Sequence, residues 1–146
     1  MKRCIYVDLD GTVFNTDHRE HHLKKEKKDW NAFFQGMKDD VPHEEILWLV
    51  QTLYLAGNQI VIATGRPEKY MQVTVDILEK YHVPYDGLYM RKDNDNRSDA
   101  ITKVEMLETM KKEGFEPTLF LEDRKRVVDA LRAKGHKVLQ VADGDF

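Results

Sequence analysis

The sequence predicts an α/β fold: a Rossmann-like parallel sheet with helices on both faces and a small lid inserted after the first strand. Three observations carry this. Short apolar, β-rich runs alternate with helical stretches of about 10 to 15 residues, the pattern of parallel strands joined by right-handed helical crossovers. The first run, Cys4-Ile5-Tyr6-Val7, empties into Asp8-Leu9-Asp10-Gly11-Thr12, so polar groups gather at a strand's carboxyl end. A chain of 146 residues, 41% hydrophobic and 34% charged, suits one domain over residues 1–146. At this length roughly 68–70% of the unfolded chain's surface can be buried without disulfides or a structural metal.

The elements follow in order. After the first strand, residues 17–28 carry His18, Arg19, His21, His22, Lys24, Lys25, Lys27 and Lys28, with Leu23 the only large aliphatic residue, and read as a solvated segment. Trp30, Phe33, Phe34 and Met37, spaced by threes and fours, predict a short amphipathic helix before the break at Pro42. Residues 15–42 are therefore expected to form the lid. A helix starts near His43 and closes at Gly57, with Ile46, Leu47, Leu49, Val50, Leu53 and Tyr54 as its apolar set. A strand over 59–63 precedes a helix over 67–81, a strand over 87–90 and a helix over 98–112. A strand over 118–121, a helix over 125–134 and a strand over 137–141 complete the pattern. Tyr6, Trp48 and the apolar strand residues are expected in the core.

Composition narrows function. With 23 Lys+Arg against 26 Asp+Glu, the net charge is −3, unlike domains that coat nucleic acid by charge alone, although a local groove for one strand remains open. A single Cys4 excludes an internal disulfide framework and a four-cysteine zinc site and fits a reducing compartment. No run of about 18 apolar residues occurs, so no membrane span or signal peptide is expected, and the expected location is cytoplasmic.

In a parallel sheet of this kind, ligands bind beyond the carboxyl ends of the strands. Chemically loaded residues fall there four times: Asp8 and Asp10; Thr64-Gly65-Arg66; the stretch 91–103; and Glu122-Asp123-Arg124. Two carboxylates two residues apart can divide labour, one attacking as a nucleophile and the other moving a proton. Asp123, arriving from another strand, completes an all-oxygen set suited to Mg²⁺. Lys103 and Arg66 supply positive charge, and Thr64 a hydroxyl, for the oxygens of a phosphate.

The segment Asp8-Leu9-Asp10-Gly11-Thr12 resembles the first motif of the haloacid dehalogenase-like phosphohydrolases, and Thr64, Lys103 and Glu122-Asp123 match the second, third and fourth in order. The resemblance implies a phosphatase in which Asp8 forms an aspartyl-phosphate and Asp10 protonates the leaving oxygen and then activates water. It implies Mg²⁺ held by Asp8, Asp123 and the backbone carbonyl of Asp10, with Thr64 and Lys103 holding the transferred phosphate. A narrower resemblance, to the 3′-phosphatase domain of bacteriophage-type polynucleotide kinase-phosphatases, spans most of the chain. It rests on Thr64-Gly65-Arg66, on Arg91 through Asp95, Arg97, Asp99 and Lys103, on Glu122-Asp123-Arg124 with Val127-Val128, on Arg132 and Gly135, and on the ending 140–146. It adds Arg19, Gly65, Arg66, Arg91, Arg97 and Asp99 as substrate-site residues.

The sequence departs from that family at three points. No Gly-x-x-x-x-Gly-Lys-Ser/Thr loop occurs, so only the phosphatase half is implied and any kinase or ligase would be a separate partner. Glu122 stands where the family carries the first of two aspartates, which leaves its role open and suggests contact with metal through water. Residues 17–42 do not follow the family closely. There, His18, His21 and His22 lack the Cys or acidic partners of a zinc site. The lysine run reads either as a solvated face or as a phosphate holder, and Trp30, Phe33 and Phe34 as lid packing or as platforms for bases. The expected activity is removal of 3′-phosphates from DNA or RNA ends. A 5′(3′)-nucleotidase acting on free nucleotides is the alternative, and a non-catalytic partner domain a third reading.

Overall fold

Alternate residues of the first strand point to opposite sides of a sheet that is covered twice, and the two hydrophobic cores follow from that alternation. The computed structural model describes residues 2–145, the side chain of Lys2 excepted; Phe146 of the matching tail, and Met1, lie outside the described residues. The elements are β1 (Lys2–Val7), β2 (Phe14–Asn15), α1 (Trp30–Gln35), β3 (Val41–Pro42), α2 (Glu44–Leu55), β4 (Gln59–Pro67), α3 (Met71–Lys80), β5 (Gly87–Arg91), α4 (Asp99–Lys112), β6 (Phe115–Arg124), α5 (Lys125–Ala133) and β7 (Val138–Gly144). Five of the strands form one parallel sheet in the order β5-β4-β1-β6-β7.

Ile5 and Val7 of β1 join Ile60 and Ile62 of β4 in one core, closed by Val50 of α2 and by Ile77 and Leu78 of α3. Cys4 and Tyr6 join Val61 and Ala63 in the other, closed by Met106 and Met110 of α4 and by Val127, Val128 and Leu131 of α5. Strands buried on both faces account for the near-continuous apolar runs in the sequence. From β1 the chain moves outward through β4 and β5, then returns to the other side of β1 as β6. The crevice beyond β1 and β6 is thus the topological switch point, where ligands bind in open α/β sheets.

Two strands run further than their apolar segments suggest. Strand β4 continues through Pro67 and β6 through Arg124, each with a register shift, between Thr64 and Pro67 and between Glu122 and Arg124. Backbone pairing therefore carries polar residues out over the crevice. The expected helix over 67–81 divides into a 3₁₀ turn, Glu68–Tyr70, and α3.

The segment between β1 and α2 holds 3₁₀ turns at Asp17–Leu23 and Gly36–Asp39 on either side of α1. Its two ends are fastened together by β2 and β3, antiparallel with Phe14 opposite Pro42 and Asn15 opposite Val41. Trp48 corrects the expected core: it is 65% exposed. Helix α2 turns Ile46, Leu47, Val50 and Leu53 to the sheet, and Trp48, Tyr54 and Leu55 lie outside that stripe. No helix among the described residues is long and apolar enough to cross a membrane.

Candidate active site

Where β1 ends, the backbone must turn under the end of β6, and the local sequence permits it. Asp8 N–H donates to Leu121 O at 3.1 Å, tying the turn to β6. Gly11 takes φ +84°, and a Cβ there would stand 2.1 Å from Asp123 Oδ2, so both the left-handed backbone and the close approach require glycine. The Thr12 hydroxyl lies 3.0 Å from Asp8 Oδ2 and 3.2 Å from Asp123 Oδ1, one donor between two carboxylates. Gly11→Ala is expected to lower the melting temperature by at least ~5 °C, since one L-residue in that conformation costs about 1–2 kcal/mol before the clash is counted. Thermal melting of the two proteins side by side is the check.

Around Asp8 the charge does not balance. Asp8, Glu122 and Asp123 are buried and can bring carboxylate oxygens within 4.8 Å of one another. Lys103, reaching in from α4, donates from Nζ to Asp8 Oδ1 at 2.5 Å and to Glu122 Oε2 at 3.0 Å. Three carboxylates share that one ammonium. Burial pushes the Asp8 carboxyl well up, and neighbouring Glu122 adds to the rise against the pull of Lys103. Burial raises Asp123 as well. Burial lowers the Lys103 ammonium, but Asp8 and Glu122 more than reverse this and hold it charged.

Glu122 is already well bonded. Its Oε2 accepts from the Tyr6 hydroxyl at 2.8 Å as well as from Lys103, and its Oε1 accepts from the backbone N–H of Asp123 at 3.2 Å and of Arg124 at 3.4 Å. Its geometry is that of an anchor for Lys103 and for the β6 turn. Asp8 and Asp123 turn toward the cleft with fewer partners.

Asp10 sits in a separate set of contacts. Arg66 Nη2 donates to its Oδ1 at 2.6 Å and Arg19 Nη2 at 2.8 Å. Both arginines also hold Asp40: Arg19 through Nε to Oδ1 at 2.8 Å and Nη2 to Oδ2 at 2.9 Å, Arg66 through Nη2 to Oδ2 at 3.1 Å. Burial pushes the Asp10 carboxyl up, but the two guanidiniums overcome it and bring it down to about 2. Arg19 and Arg66 are 1% and 0% exposed; their Nε and Nη2 donors go to Asp10 and Asp40, and their Nη1 donors to the Phe33 carbonyl and the Thr74 hydroxyl, so in this arrangement they orient Asp10. Asp40 was not singled out by sequence reasoning: within Asp39-Asp40-Val41-Pro42 it carries no local signal, and its partners stand 21 and 26 residues away. His18 Nε2 lies 2.6 Å from the same Asp40, while the His21 and His22 rings lie against each other.

A third set joins β4, β5, α4 and β6. Asp99 Oδ1 accepts from Arg91 Nη2, and its Oδ2 from Arg124 Nη1 at 2.8 Å. Burial would raise Asp99, but Lys103, Arg124 and Arg91 hold it below the usual carboxylate range. Gly65 lets this aspartate in, since a Cβ would meet Asp99 Oδ1 at 2.6 Å. Arg91 also donates to the backbone oxygens of Gly65, Asp95 and Arg97. Arg97 stands at the cleft margin, paired with Asp95 and Glu105. Thr64 lies deeper, fully buried, its hydroxyl accepting from Arg66 N–H at 3.2 Å.

These sets meet in one cleft of about 1070 Å³, with Asp8, Asp10, Lys103, Glu122 and Asp123 on its surface together with Gly65. Thr64, Arg19 and Arg66 stand behind that surface. A buried carboxylate open to the cleft, a second carboxylate fixed by arginines and a buried ammonium around one space are groups of the kind that can serve transfer of a phosphoryl group.

A family model described as polynucleotide kinase PNKP phosphatase domain matches residues 2–146. Two solved structures are similar over 100% of this chain: "Structure of Pnkp1/Rnl/Hen1 complex", 27% identical with TM-score 0.85, and "Structure of the Pnkp1/Rnl/Hen1 RNA repair complex", 26% identical with TM-score 0.86. This chain spans 47% and 44% of those chains, less than half of their length. The class C acid phosphatase from Bacillus anthracis shares the fold at TM-score 0.70 and 14% identity, over 97% of this chain and 69% of that one.

Proposed function

From the premise that this chain belongs to the PNKP phosphatase-domain family and is a phosphatase of haloacid dehalogenase-like fold, we propose that it is a Mg²⁺-dependent polynucleotide 3′-phosphatase working through an aspartyl-phosphate on Asp8. The observation that carries the chemistry is the meeting of Asp8, Asp10, Lys103 and Asp123 in one cleft at the switch point of the sheet.

Asp8 supplies the attacking oxygen. The Lys103 ammonium, 2.5 Å from Asp8 Oδ1, offsets the repulsion between carboxylate and phosphate and remains to stabilise charge on the transferred group. The ester oxygen leaves with a proton from Asp10. A water molecule then attacks the phosphorus of the aspartyl-phosphate and yields its proton to Asp10, which regenerates Asp8 and releases inorganic phosphate. Arg19 and Arg66 fix the Asp10 carboxyl and keep it ionised, ready to take that proton. Bound phosphate opposes the two arginines, so Asp10 takes up a proton from solvent as the substrate binds, gives that proton to the ester oxygen, and recovers one from the attacking water in the second step.

The surplus of buried carboxylates over ammonium suits a hard divalent cation. Asp8, Asp123 and the backbone carbonyl of Asp10 would hold Mg²⁺, and Glu122, already engaged by four donors, would act on it only through water. When bound, Mg²⁺ neutralises phosphate charge and the crowding of Asp8 and Asp123. The segment 15–42, clipped by β2 and β3, serves as the lid over this site, and Arg91, Arg97 and Gly65 lie where the rest of the substrate passes.

The product, a 3′-hydroxyl end, is what a separate end-sealing partner would need, and the Rnl and Hen1 named with Pnkp1 in the similar structures support such a setting. Phosphate release in Mg²⁺ from 3′- and 5′-phosphorylated oligonucleotides and from 3′- and 5′-mononucleotides, with EDTA and Asp8→Asn controls, tests the reading. The 3′-phosphorylated oligonucleotide is expected to lead by at least ~10-fold in kcat/KM. A lead by mononucleotides would make the protein a nucleotidase. Absence of Asp8-dependent release from all of them would leave a binding domain.

A further inference from the structure

Sequence left two uses open for the aromatic residues after the lysine run, and the structure separates them. Phe33 is 8% exposed and lies under the Arg19 guanidinium, 4.3 Å from its ring centroid, so it does the packing. Trp30, three residues earlier at the first position of α1, is 50% exposed on the cleft. Its ring faces Phe34 at 5.9 Å with planes 25° apart, and Phe34 faces Tyr70 at 5.0 Å and 33°. Three rings from two separate elements thus stand in a staggered row. Tyr70 is fixed to α1 by its hydroxyl, which donates to Asn31 Oδ1 at 2.9 Å, and α1 is held at its start by Asp29, whose Oδ1 accepts from Ala32 N–H.

A cation lies over the ring at each end of the row, Lys28 Nζ 5.8 Å from the Trp30 centroid and Lys69 Nζ 5.4 Å from that of Tyr70, each on a long side chain that an incoming base can displace toward its phosphate. All five residues line the cleft that holds Asp8. Flat apolar faces between positive charges complement a strand whose bases alternate with phosphates. The cleft, of about 1070 Å³, lies at the upper end of the range of small-molecule pockets, roughly 300–1,000 Å³.

We propose that Trp30, Phe34 and Tyr70 form a stacking platform for the unpaired bases at a polynucleotide 3′ end, so that the enzyme selects single-stranded ends. This rests on the 3′-phosphatase reading and adds its specificity determinant. Bases within a duplex already cover both faces on each other and cannot lie on the row, whereas an unpaired end can.

The test compares kcat/KM on a single-stranded 3′-phosphorylated oligonucleotide, the same oligonucleotide with abasic sites in place of its last two bases, and p-nitrophenyl phosphate. Loss of one stacked base is worth roughly tenfold in affinity. Trp30→Ala is therefore expected to lower the ratio of oligonucleotide to p-nitrophenyl phosphate activity about tenfold, through KM, and Trp30→Phe to restore most of it. The abasic substrate should be slow in the unaltered enzyme and indifferent to Trp30→Ala. In a Trp48→Phe background Trp30 is the only tryptophan, and unpaired oligonucleotide should quench its fluorescence whereas inorganic phosphate should not. An unchanged ratio, a ratio that falls equally on the abasic substrate, or no quenching by an oligonucleotide that is turned over would each overturn the platform while leaving the 3′-phosphatase standing. Faster turnover of a mononucleotide with equal quenching would assign the row to free nucleotides. Hydrolysis of p-nitrophenyl phosphate with none from any 3′-phosphorylated end would overturn both.

Discussion

Asp8→Asn is expected to reduce phosphate release about a millionfold, the scale seen when a nucleophile is removed from a covalent mechanism. Asparagine has nearly the shape of aspartate and keeps an oxygen for the Lys103 ammonium, which donates to Asp8 Oδ1 at 2.5 Å, while its amide NH₂ takes the place of Oδ2 and can donate to the Thr12 hydroxyl, 3.0 Å away. It cannot form the acyl phosphate. The same change should stabilise the metal-free protein. Asp8 is 3% exposed with Glu122 and Asp123 beside it, and burial and these neighbours disfavour its ionised form despite Lys103. Relief of that crowding is worth on the order of 1 kcal/mol, or about 3 °C in melting temperature at this length. Activity and melting temperature measured on one preparation check both. Loss of activity together with a lower melting temperature would mean that the Asp8 charge is needed to hold Lys103 in place.

Much of this was readable in sequence because neighbouring residues announce it. The turn at residues 8–12 follows a strand that could only be buried, Lys103 lies in the second turn of α4 and Asp123 next to the last residue of β6, both following apolar strand runs and both in motif order. What escaped depends on distance along the chain. Asp40 joins Arg19 and Arg66 only after the 14–42 segment is closed by β2 and β3. Tyr6 reads as a core residue of β1, and so it is, yet its hydroxyl reaches Glu122, 116 residues on. Glu122 is seen as an anchor only when that bond and Lys103 are both known. Trp48 misled because α2 is apolar around most of its circumference, so the sequence does not reveal which face meets the sheet. The ends of β4 and β6 extend past their apolar runs because register shifts let polar residues keep backbone pairing, a choice made by the partner strands.

The second large effect is expected from Lys103→Met, which keeps the length of the side chain and removes its charge. The ammonium is 2% exposed and joins Asp8 to Glu122; breaking a buried ion pair by removing one partner costs about 3–5 kcal/mol because the remaining charge is uncompensated. Turnover should fall by roughly 10³–10⁴, the size of losing one main electrostatic contact to the transition state with some of the geometry. The pH dependence identifies the cause. With Lys103 gone, the Asp8 carboxyl lies further above its ordinary value of 3.8, so the folded variant binds more protons than the unfolded chain at and above that pH. Its stability must then fall as pH rises from about 4 toward neutrality. Asp10 has the opposite sign: with its carboxyl brought down to about 2 by Arg66 and Arg19 against burial, it stabilises the fold above about pH 4 and that contribution is lost as pH falls toward 2. Between the two slopes the variant should melt highest near pH 4–5. Mg²⁺ should recover stability at neutral pH, where the carboxylates are ionised, by several degrees at concentrations well above its dissociation constant. Melting curves from pH 3 to 8 with and without Mg²⁺ decide the matter: a variant that melts low at every pH and ignores the ion has lost packing, whereas one restored by acid or by Mg²⁺ has lost the positive charge that the three carboxylates share.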